Sequence, residues 1–283
     1  MFLQLLTNGV NYAAVLFLMA IGLVIIMGHM KIVNLAHGEL IMVGAYVSYY
    51  VSTVLKLPYI LAVFGGFFVS GLLGLIIGLI IRRLYGKLAE TLLATFAFSL
   101  IIQQGVRLIA GPRSQNVNIP LNGTLMLGNM RVPYYNLVII SVALLVLLLT
   151  WLLLHKTKIG KQIRAVTENR AMTDCLGINT QRVDMVTFTY GTGLAGLAGA
   201  VLAPRSTVTF AMGVQFLTES FLNVVVGGID SIFGTALSSV LIGESLTFIG
   251  GYWNDVIAKV LVFLLIIILI RFKPEGLFTK ERR

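Results

Sequence analysis

The stretch YNLVIISVALLVLLLTWLLL, residues 135–154, contains no charged side chain across its whole length. A run of about 20 apolar residues is long enough to cross the roughly 30 Å hydrocarbon core of a bilayer as a helix. Its apolar residues occupy every side of that helix, whereas the strands of a membrane β-barrel alternate apolar and polar residues. The stretch therefore predicts a membrane-spanning helix and excludes a β-barrel.

The rest of the chain has the same character. Of its 283 residues, 58% are hydrophobic and 11% are charged, whereas soluble domains contain about 25% charged residues. Apolar segments lie near residues 9–28, 34–54, 58–81, 91–110, 134–154, 184–203, 216–229, 231–249 and 255–271. We therefore predict an all-α polytopic integral membrane protein, with a single transmembrane domain over residues 1–283 and about eight or nine membrane segments.

Two of these segments differ from simple crossings. The segment at 34–54 opens with the polar stretch VNLAHGEL, residues 33–40, and the segment at 216–229 is too short to span a bilayer alone. We expect one or both to be broken or re-entrant helices. They fall in opposite halves of the chain, which is compatible with an inverted internal repeat of the kind found in many transporters, although the two stretches do not align.

The net charge of +10 is concentrated in loops and in the C-terminal tail. Basic residues cluster in 82–87, in 155–183 and after position 270, so the positive-inside rule places these parts in the cytoplasm and the 111–133 connection outside. The N-terminus then lies outside if both short segments cross. This distribution predicts contact with membrane lipid and no nucleic-acid partner, and the lone Cys175 forms no intrachain disulfide.

Small residues recur every four positions on two of the segments. They are Gly66, Ser70, Gly74 and Gly78 on the third segment, and Gly191, Ala195 and Gly199 on the sixth. In lipid, helices associate through the close approach of small residues, so we predict that these residues form helix contact faces. The alternative is that such a stripe lines a permeation path.

Polar residues at membrane depth are candidates for a substrate pathway because they are costly to bury in lipid. The pathway candidates are Asn34, His37, Glu39, Asn223 and Glu244, and Glu219 and Asp230 are further ionisable residues at this depth. Asn34 is expected to cap a helix that starts at Leu35, which places Glu39 in the first turns, where the helix dipole favours an anion. The alternative is a capped helix start without substrate contact. The pattern predicts neither a metal site nor a catalytic site.

The loop at 155–183 carries signals of a short helix. Asn169 is predicted to be its N-cap and Gly177 the residue just beyond its end, while Asn179 is predicted to cap the next span. Between them lies a short apolar stripe formed by Met172, Cys175 and Leu176. Such a helix favours docking into the groove of a partner protein; the alternative is a helix that lies on the bilayer surface.

Six blocks of sequence resemble a known transporter family. They are VNLAHGELIMVGAY, ETLLATFAFSLIIQQGVRLIAGP, IGKQIRAVTENRAMTDCLGI, RVDMVTFTYGTGLAGLAGA, VVVGGIDSIFGT and AKVLVFLLIIILIRFKPEGLF. In this order they resemble the permeases of branched-chain amino acid-type ABC importers, and most closely the urea-transporting branch. The stretch LAPRSTVTFAMGVQF, residues 202–216, departs from that branch because Arg205 introduces a charge.

The resemblance implies a bacterial inner-membrane subunit that is not itself an enzyme and carries no cofactor. Its implied partners are a second homologous permease, two cytoplasmic ATPases that hold ATP and Mg, and a periplasmic solute-binding protein. The coupling loop at 155–183 would contact one ATPase through Arg164, Glu168, Asn169, Arg170, Met172, Leu176 and Gly177. The expected function is ATP-driven uptake of a small polar solute, most closely urea; the alternatives are a branched-chain amino acid or short amide, or an ion-coupled secondary transporter.

Overall fold

The computed structural model describes residues 2–85, 87–127, 130–273 and 276–278, which form a helical bundle and one small hairpin. The helices are α1 (Phe2–Met30), α2 (His37–Tyr49), α3 (Tyr59–Ile81), α4 (Leu88–Ala110), α5 (Tyr134–Lys156), α6 (Lys158–Glu168), α7 (Arg170–Cys175), α8 (Thr180–Leu202), α9 (Met212–Gly227), α10 (Ile232–Tyr252) and α11 (Asp255–Phe272). The strands are β1 (Thr124–Leu127) and β2 (Met130–Pro133).

Each predicted apolar segment corresponds to one helix of the bundle, and the protein is a polytopic helical membrane protein. Six helices, namely α1, α3, α4, α5, α8 and α10, are long and apolar enough to cross a membrane. Helix α2 has 13 residues before it continues as a π-helical turn at Tyr50–Val54, and α9 has 16 residues. The predicted number of eight or nine membrane segments therefore stays a prediction.

The start of α2 differs from the prediction. The helix begins at His37 instead of Leu35, and Asn34 lies in the irregular connection that precedes it. The Asn34 side-chain oxygen accepts the Ala36 N–H at 3.1 Å, and the Thr95 hydroxyl of α4 accepts the Leu35 N–H at 3.3 Å. These two bonds hold a turn at residues 35 and 36, and α2 begins directly after it.

The connection at 111–133 also corrects the all-α prediction. Strands β1 and β2 pair antiparallel there, with Leu125 opposite Val132. Gln115, in the same connection, exchanges both backbone hydrogen bonds with Val208 at 2.9 Å. This bridge ties the connection to the segment that leads into α9.

The basic loop at 155–183 contains two helices, whereas only the second was predicted. Helix α6 starts at a Thr157 cap, whose hydroxyl accepts the Gly160 N–H at 3.0 Å, and it buries Ile163 and Val166 against Leu154 of α5. These apolar residues are three apart in the sequence, so a helical period was present. It was overlooked because Lys and Arg residues surround it.

Helix α8 lies at the centre of the bundle, where glycines bring helix backbones together. A Cβ atom added to Gly66 of α3 would lie 2.7 Å from the Gly196 carbonyl oxygen of α8. A Cβ on Gly199 would overlap the Ile41 carbonyl of α2, and one on Gly191 would lie 2.8 Å from the Gly22 carbonyl oxygen of α1. Three helices therefore pack against α8 at backbone distance.

The other predicted packing residues also lie at or near α8. Ser70 is buried and donates a hydrogen bond to the Leu40 carbonyl at 3.0 Å. A Cβ on Gly74 would overlap the Thr192 side chain, and one on Gly78 would lie 3.4 Å from Phe188. Ala195 is fully buried.

The bundle has two ends, which we call the basic end and the hairpin end. The basic end carries residues 82–85 and 155–183, and the hairpin end carries β1 and β2. Gln4 forms two hydrogen bonds with the Arg131 backbone, each 3.1 Å long, so the start of α1 lies at the hairpin end.

Helices α2 and α9 enter the bundle from opposite ends, and their first turns meet inside it. The connection before α2 follows the basic end of α1, whereas the segment before α9 is tied to the hairpin end through Val208. A Cβ on Gly213 of α9 would lie 2.5 Å from the Glu39 carboxylate, and one on Gly38 would overlap the Gly213 carbonyl. Two interrupted helices therefore begin face to face at membrane depth.

Candidate functional site

A cavity of about 720 Å³ opens at the hairpin end, and we call it the hairpin-end cavity. One wall is polar and includes Asn11, Tyr12, Arg205, Gln215, Glu219 and Lys259. The other wall is apolar and includes Val15, Met19, Leu202, Phe216, Leu246 and Ala258. A concave site with an apolar lining and a few converging polar groups is typical of small-molecule binding sites.

An ion pair dominates one part of the polar wall. The Lys259 ammonium of α11 lies 3.1 Å from Oε1 of Glu219 in α9, and Gln215 donates to the same oxygen at 3.1 Å. Among the residues that the structure describes, the other oxygen, Oε2, has only the Tyr12 hydroxyl as a partner, at 3.5 Å. Glu219 is 9% exposed, so a buried charge is held by two contacts on one oxygen while the second oxygen is weakly engaged.

The second cation of the wall, Arg205, is held differently. It ends the short 3-10 turn Ala203–Arg205 that follows α8. Its guanidinium donates hydrogen bonds to the side-chain oxygens of Asn11 in α1 and Asn136 in α5. Over the described ranges of the chain, no carboxylate lies within ion-pair distance of Arg205. Two neutral amides therefore orient this charge without neutralising it.

One face of α1 supports both charged groups. Asn8, Asn11, Tyr12 and Val15 all line the hairpin-end cavity, and their spacing of three and four residues places them on one side of the helix. Asn11 binds Arg205 and its neighbour Tyr12 contacts Glu219. The cation and the carboxylate therefore lie beside consecutive residues of the same helix.

A second opening lies on the other side of the Arg205 turn. It has a volume of about 560 Å³ and is lined by Asn116, Asn118, Asn122, Arg205, Ser206 and Thr207, among others. Because Arg205 and Ser206 line both spaces, this turn separates the hairpin-end cavity from the polar surface of the 111–133 connection.

The predicted coupling loop is the main feature of the basic end. Asn169 caps α7 by accepting the Met172 N–H at 3.0 Å, and Gly177 follows the helix with a φ of 80°, so both predicted helix-end positions are confirmed. The seven predicted coupling residues are all exposed. Arg170 forms an ion pair with Asp184, which is buried in the first turns of α8. The loop is therefore joined directly to the central helix.

The model of one protein family matches nearly the whole chain. It is described as the permease component of branched-chain amino acid transport systems, and it matches residues 5–270. The chain belongs to this family. It is an ABC-type transport permease and a multi-pass inner-membrane protein.

Similar curated proteins cover the permease from end to end. It is 28% identical to the high-affinity branched-chain amino acid transport system permease protein BraD of Pseudomonas aeruginosa, over 99% of this chain and 96% of that protein. It is also 28% identical to the LivH permease of the corresponding Escherichia coli system, with the same coverage. The predicted family is therefore confirmed, whereas the urea-transporting branch is not confirmed, and the relatives support the amino acid alternative better.

One solved structure shares the fold. The chain of PsaBC from Streptococcus pneumoniae in complex with Fab aligns with a TM-score of 0.50 over 93% of the permease and 91% of that chain. The sequence identity is 15%, so the comparison extends to the fold alone.

The predicted pathway residues do not line the hairpin-end cavity of the permease. Three of them, Asn34, His37 and Glu39, are buried around the start of α2, where the His37 ring nitrogen Nε2 lies 2.9 Å from the Met19 carbonyl oxygen. Asn223 is buried between Ser238 and Ser239 of α10, at 2.7 Å from each hydroxyl. The Glu244 carboxylate of α10 lies against Gly9 of α1.

Of the charged cavity residues, Glu219 was noted as an ionisable residue at membrane depth, whereas the other polar residues of the wall were missed because their sequence signals are weak one at a time. Tyr12 and Asn11 are isolated polar residues in a long apolar helix, and Lys259 was assigned to a simple membrane span. Arg205 was noted only as a departure from the urea branch. The helical spacing of Asn8, Asn11 and Tyr12 is the signal that could have identified the polar face of α1.

Proposed function

We propose that this chain is the membrane-spanning subunit of an ATP-driven importer for branched-chain amino acids. Its family membership over residues 5–270 carries the proposal. The relatives that match it across almost their full lengths are named as permeases for this substrate class. In this proposal the chain conducts solute and hydrolyses no ATP, since the hydrolysing sites belong to partner subunits.

The composition of the hairpin-end cavity supports this substrate class over urea. A branched-chain amino acid carries an ammonium group, a carboxylate and an aliphatic side chain. The cavity offers carboxylates on Glu219 and Asp255, cations on Arg205 and Lys259, and an adjacent apolar wall. Urea has neither a charge nor an aliphatic side chain, so it would leave both the charges and the apolar wall without complementary groups.

The exposed loop at the basic end supports the proposed partners. Met172 and Leu176 are 63% and 72% exposed, although both are large and apolar, and both lie on or just after α7. An exposed apolar stripe on a capped helix fits a groove on another protein. We propose that one of two ATPases binds here, and that the complete importer contains a second permease and a solute-binding protein at the hairpin end.

An uptake assay tests the proposed function. The chain is purified with its companion subunits, reconstituted in liposomes and supplied with ATP, its solute-binding protein and labelled leucine. We expect leucine uptake that requires ATP and is inhibited by isoleucine and valine but not by urea or acetamide. Urea uptake without leucine uptake would overturn the substrate assignment. Uptake by the permease without any ATPase, driven by an ion gradient, would overturn the mechanism.

A further inference from the structure

Two groups of the hairpin-end cavity have unused binding capacity that faces a space large enough for a ligand. Oε1 of Glu219 binds Lys259 and Gln215, whereas Oε2 has, in the described part of the chain, one hydroxyl at the limit of hydrogen-bond distance. A buried carboxylate oxygen is stabilised by more than one donor, so Oε2 can accept another charged donor.

Arg205 has spare hydrogen-bond donors and can therefore bind a group of negative charge. A guanidinium has five N–H donors arranged in a fixed plane, and such a group binds carboxylates bidentately. Its Nη1 atom is committed to the two asparagine oxygens, and over the residues described here no carboxylate neutralises the charge. The remaining donors are on a side chain that is exposed towards the cavity.

The two groups also line the same cavity, so one small molecule bound there can contact both. Asn11 of α1 holds Arg205, and the next residue, Tyr12, contacts Glu219. Val15 and Met19 continue the same face of α1 into the apolar wall.

We propose that the hairpin-end cavity contains a binding site for a zwitterionic aliphatic amino acid. Arg205 binds the α-carboxylate, Oε2 of Glu219 accepts the α-ammonium group, and the wall formed by Val15, Met19 and Phe216 takes the aliphatic side chain. Lys259 pairs with Oε1 of Glu219 and orients the carboxylate. Because the Arg205 turn also lines the second opening, Arg205 is the first charged group that a carboxylate arriving from the hairpin end would meet. This inference rests on the proposed function and assigns its substrate site.

The test separates the two charged ends of the ligand. The whole complex is placed in lipid nanodiscs without solute-binding protein, and binding of labelled leucine is measured in competition with two truncated analogues. One analogue, 4-methylpentanoate, lacks the ammonium group; the other, 3-methylbutylamine, lacks the carboxylate. The two variants are Arg205→Gln and the double variant Glu219→Gln/Lys259→Met. The double variant removes both charges of the ion pair, so neither charge is left without its partner.

We expect Arg205→Gln to weaken leucine binding by about 10- to 100-fold, as for the loss of one charge-assisted contact, and to leave 3-methylbutylamine binding unchanged. The double variant should weaken leucine binding to a similar degree and leave 4-methylpentanoate binding unchanged. The matched control is Arg113→Gln, which removes an exposed cation from the 111–133 connection and should bind all three compounds as the unaltered protein does.

Three results would overturn the site. They are the absence of saturable leucine binding by the unaltered complex, equal losses for all three compounds in either variant, and unchanged leucine binding in both. If Arg205→Gln instead impairs only docking of the solute-binding protein, Arg205 is a protein contact and the site is wrong. In each case ATP-driven leucine uptake by the unaltered complex would still support the proposed function, so the two proposals fail separately.

Discussion

Two glycines of α3 allow the backbone packing against α8 to be tested with a matched pair of substitutions. A Cβ added to Gly66 would lie 2.7 Å from the Gly196 carbonyl oxygen and 2.8 Å from the Ala200 Cβ atom. A Cβ added to Gly71, on the same helix, would meet its nearest atom, the Thr189 carbonyl oxygen, at 3.5 Å. Gly66→Ala therefore overlaps backbone, whereas Gly71→Ala fits into ordinary contact.

The size of the effect follows from these distances. A methyl group at 2.7 Å is 0.7 Å short of the 3.4 Å at which ordinary contact begins, and the obstructing atom belongs to the backbone of α8. Overpacking of this kind destabilises a protein by about 1–3 kcal/mol. Both substitutions gain the same helix propensity, about 1 kcal/mol for Gly to Ala. The difference between the variants therefore isolates the packing energy, and we expect Gly66→Ala to be less stable than Gly71→Ala by about 1–3 kcal/mol.

The assay is thermal unfolding of the two purified variants in the same detergent, monitored by loss of the monodisperse species. The expected difference corresponds to a Tm that is lower by about 2–12 °C for Gly66→Ala. Equal Tm values, or a higher Tm for Gly66→Ala, would show that α3 and α8 do not approach each other at backbone distance. The central position of α8 in the bundle would then be wrong as well.

Two further predictions concern the coupling loop and the ties at the hairpin end. Met172→Asp places a charge in the proposed docking stripe. It should therefore abolish both co-purification of the ATPase and ATP-driven uptake, while the permease remains in the membrane. The control is Met126→Asp on β1, because Met126 is 64% exposed and Met172 is 63% exposed. Retention of the ATPase by Met172→Asp would count against docking through α7. Tyr135→Phe removes the hydroxyl that donates to the Val201 carbonyl at 2.6 Å and should lower the free energy of unfolding by about 1–3 kcal/mol. Tyr134→Phe, at an exposed neighbouring position, should change it little in the same denaturation series, and equal losses would mean that the hydroxyl contributes nothing specific.

Hydropathy predicted the helices of this protein well because a membrane span is a local property of the sequence. Helix ends were predictable where a side chain caps its own helix, as Asn169 and Asn179 do. The start of α2 was predicted two residues too early, and the turn that precedes it is held in part by Thr95, which lies sixty residues away in the sequence and accepts the Leu35 N–H group. Helix ends that depend on such distant partners cannot be located from local pattern alone.

The cavity was less predictable than the fold for a related reason. Its charged groups come from three separate places in the chain: Glu219 in α9, Lys259 in α11 and Arg205 after α8. Glu219 stands out in the sequence as an ionisable residue in an apolar segment, but nothing near it in the sequence indicates that Lys259 and Arg205 line the same space. Their common position depends on the packing of those elements against one face of α1, and a hydropathy profile contains no information about that face.

The polar stretch at 33–40 shows why polarity at membrane depth has two different causes. A chain that interrupts a helix inside a membrane exposes backbone groups that no water can satisfy. Here the side chains of Asn34 and Thr95 take the N–H groups of the break, and His37 binds a carbonyl oxygen of α1. These residues are needed because the helix is broken, whether or not a substrate passes near them.

The second cause of polarity at membrane depth is a substrate site, and contact with a cavity distinguishes it from the first. The side chains of Asn34, His37 and Glu39 each retain a buried polar atom without a hydrogen-bond partner in the part of the chain that the structure describes, but none of the three lines the hairpin-end cavity. Arg205 and Glu219 combine spare donors and acceptors with an open space of about 720 Å³. A ligand can reach the second pair directly, whereas it reaches the first set only if the backbone around the α2 break moves. Unused polar capacity therefore indicates a substrate site only where it faces a cavity, and in this permease that criterion selects the wall formed by α1, α9 and the Arg205 turn.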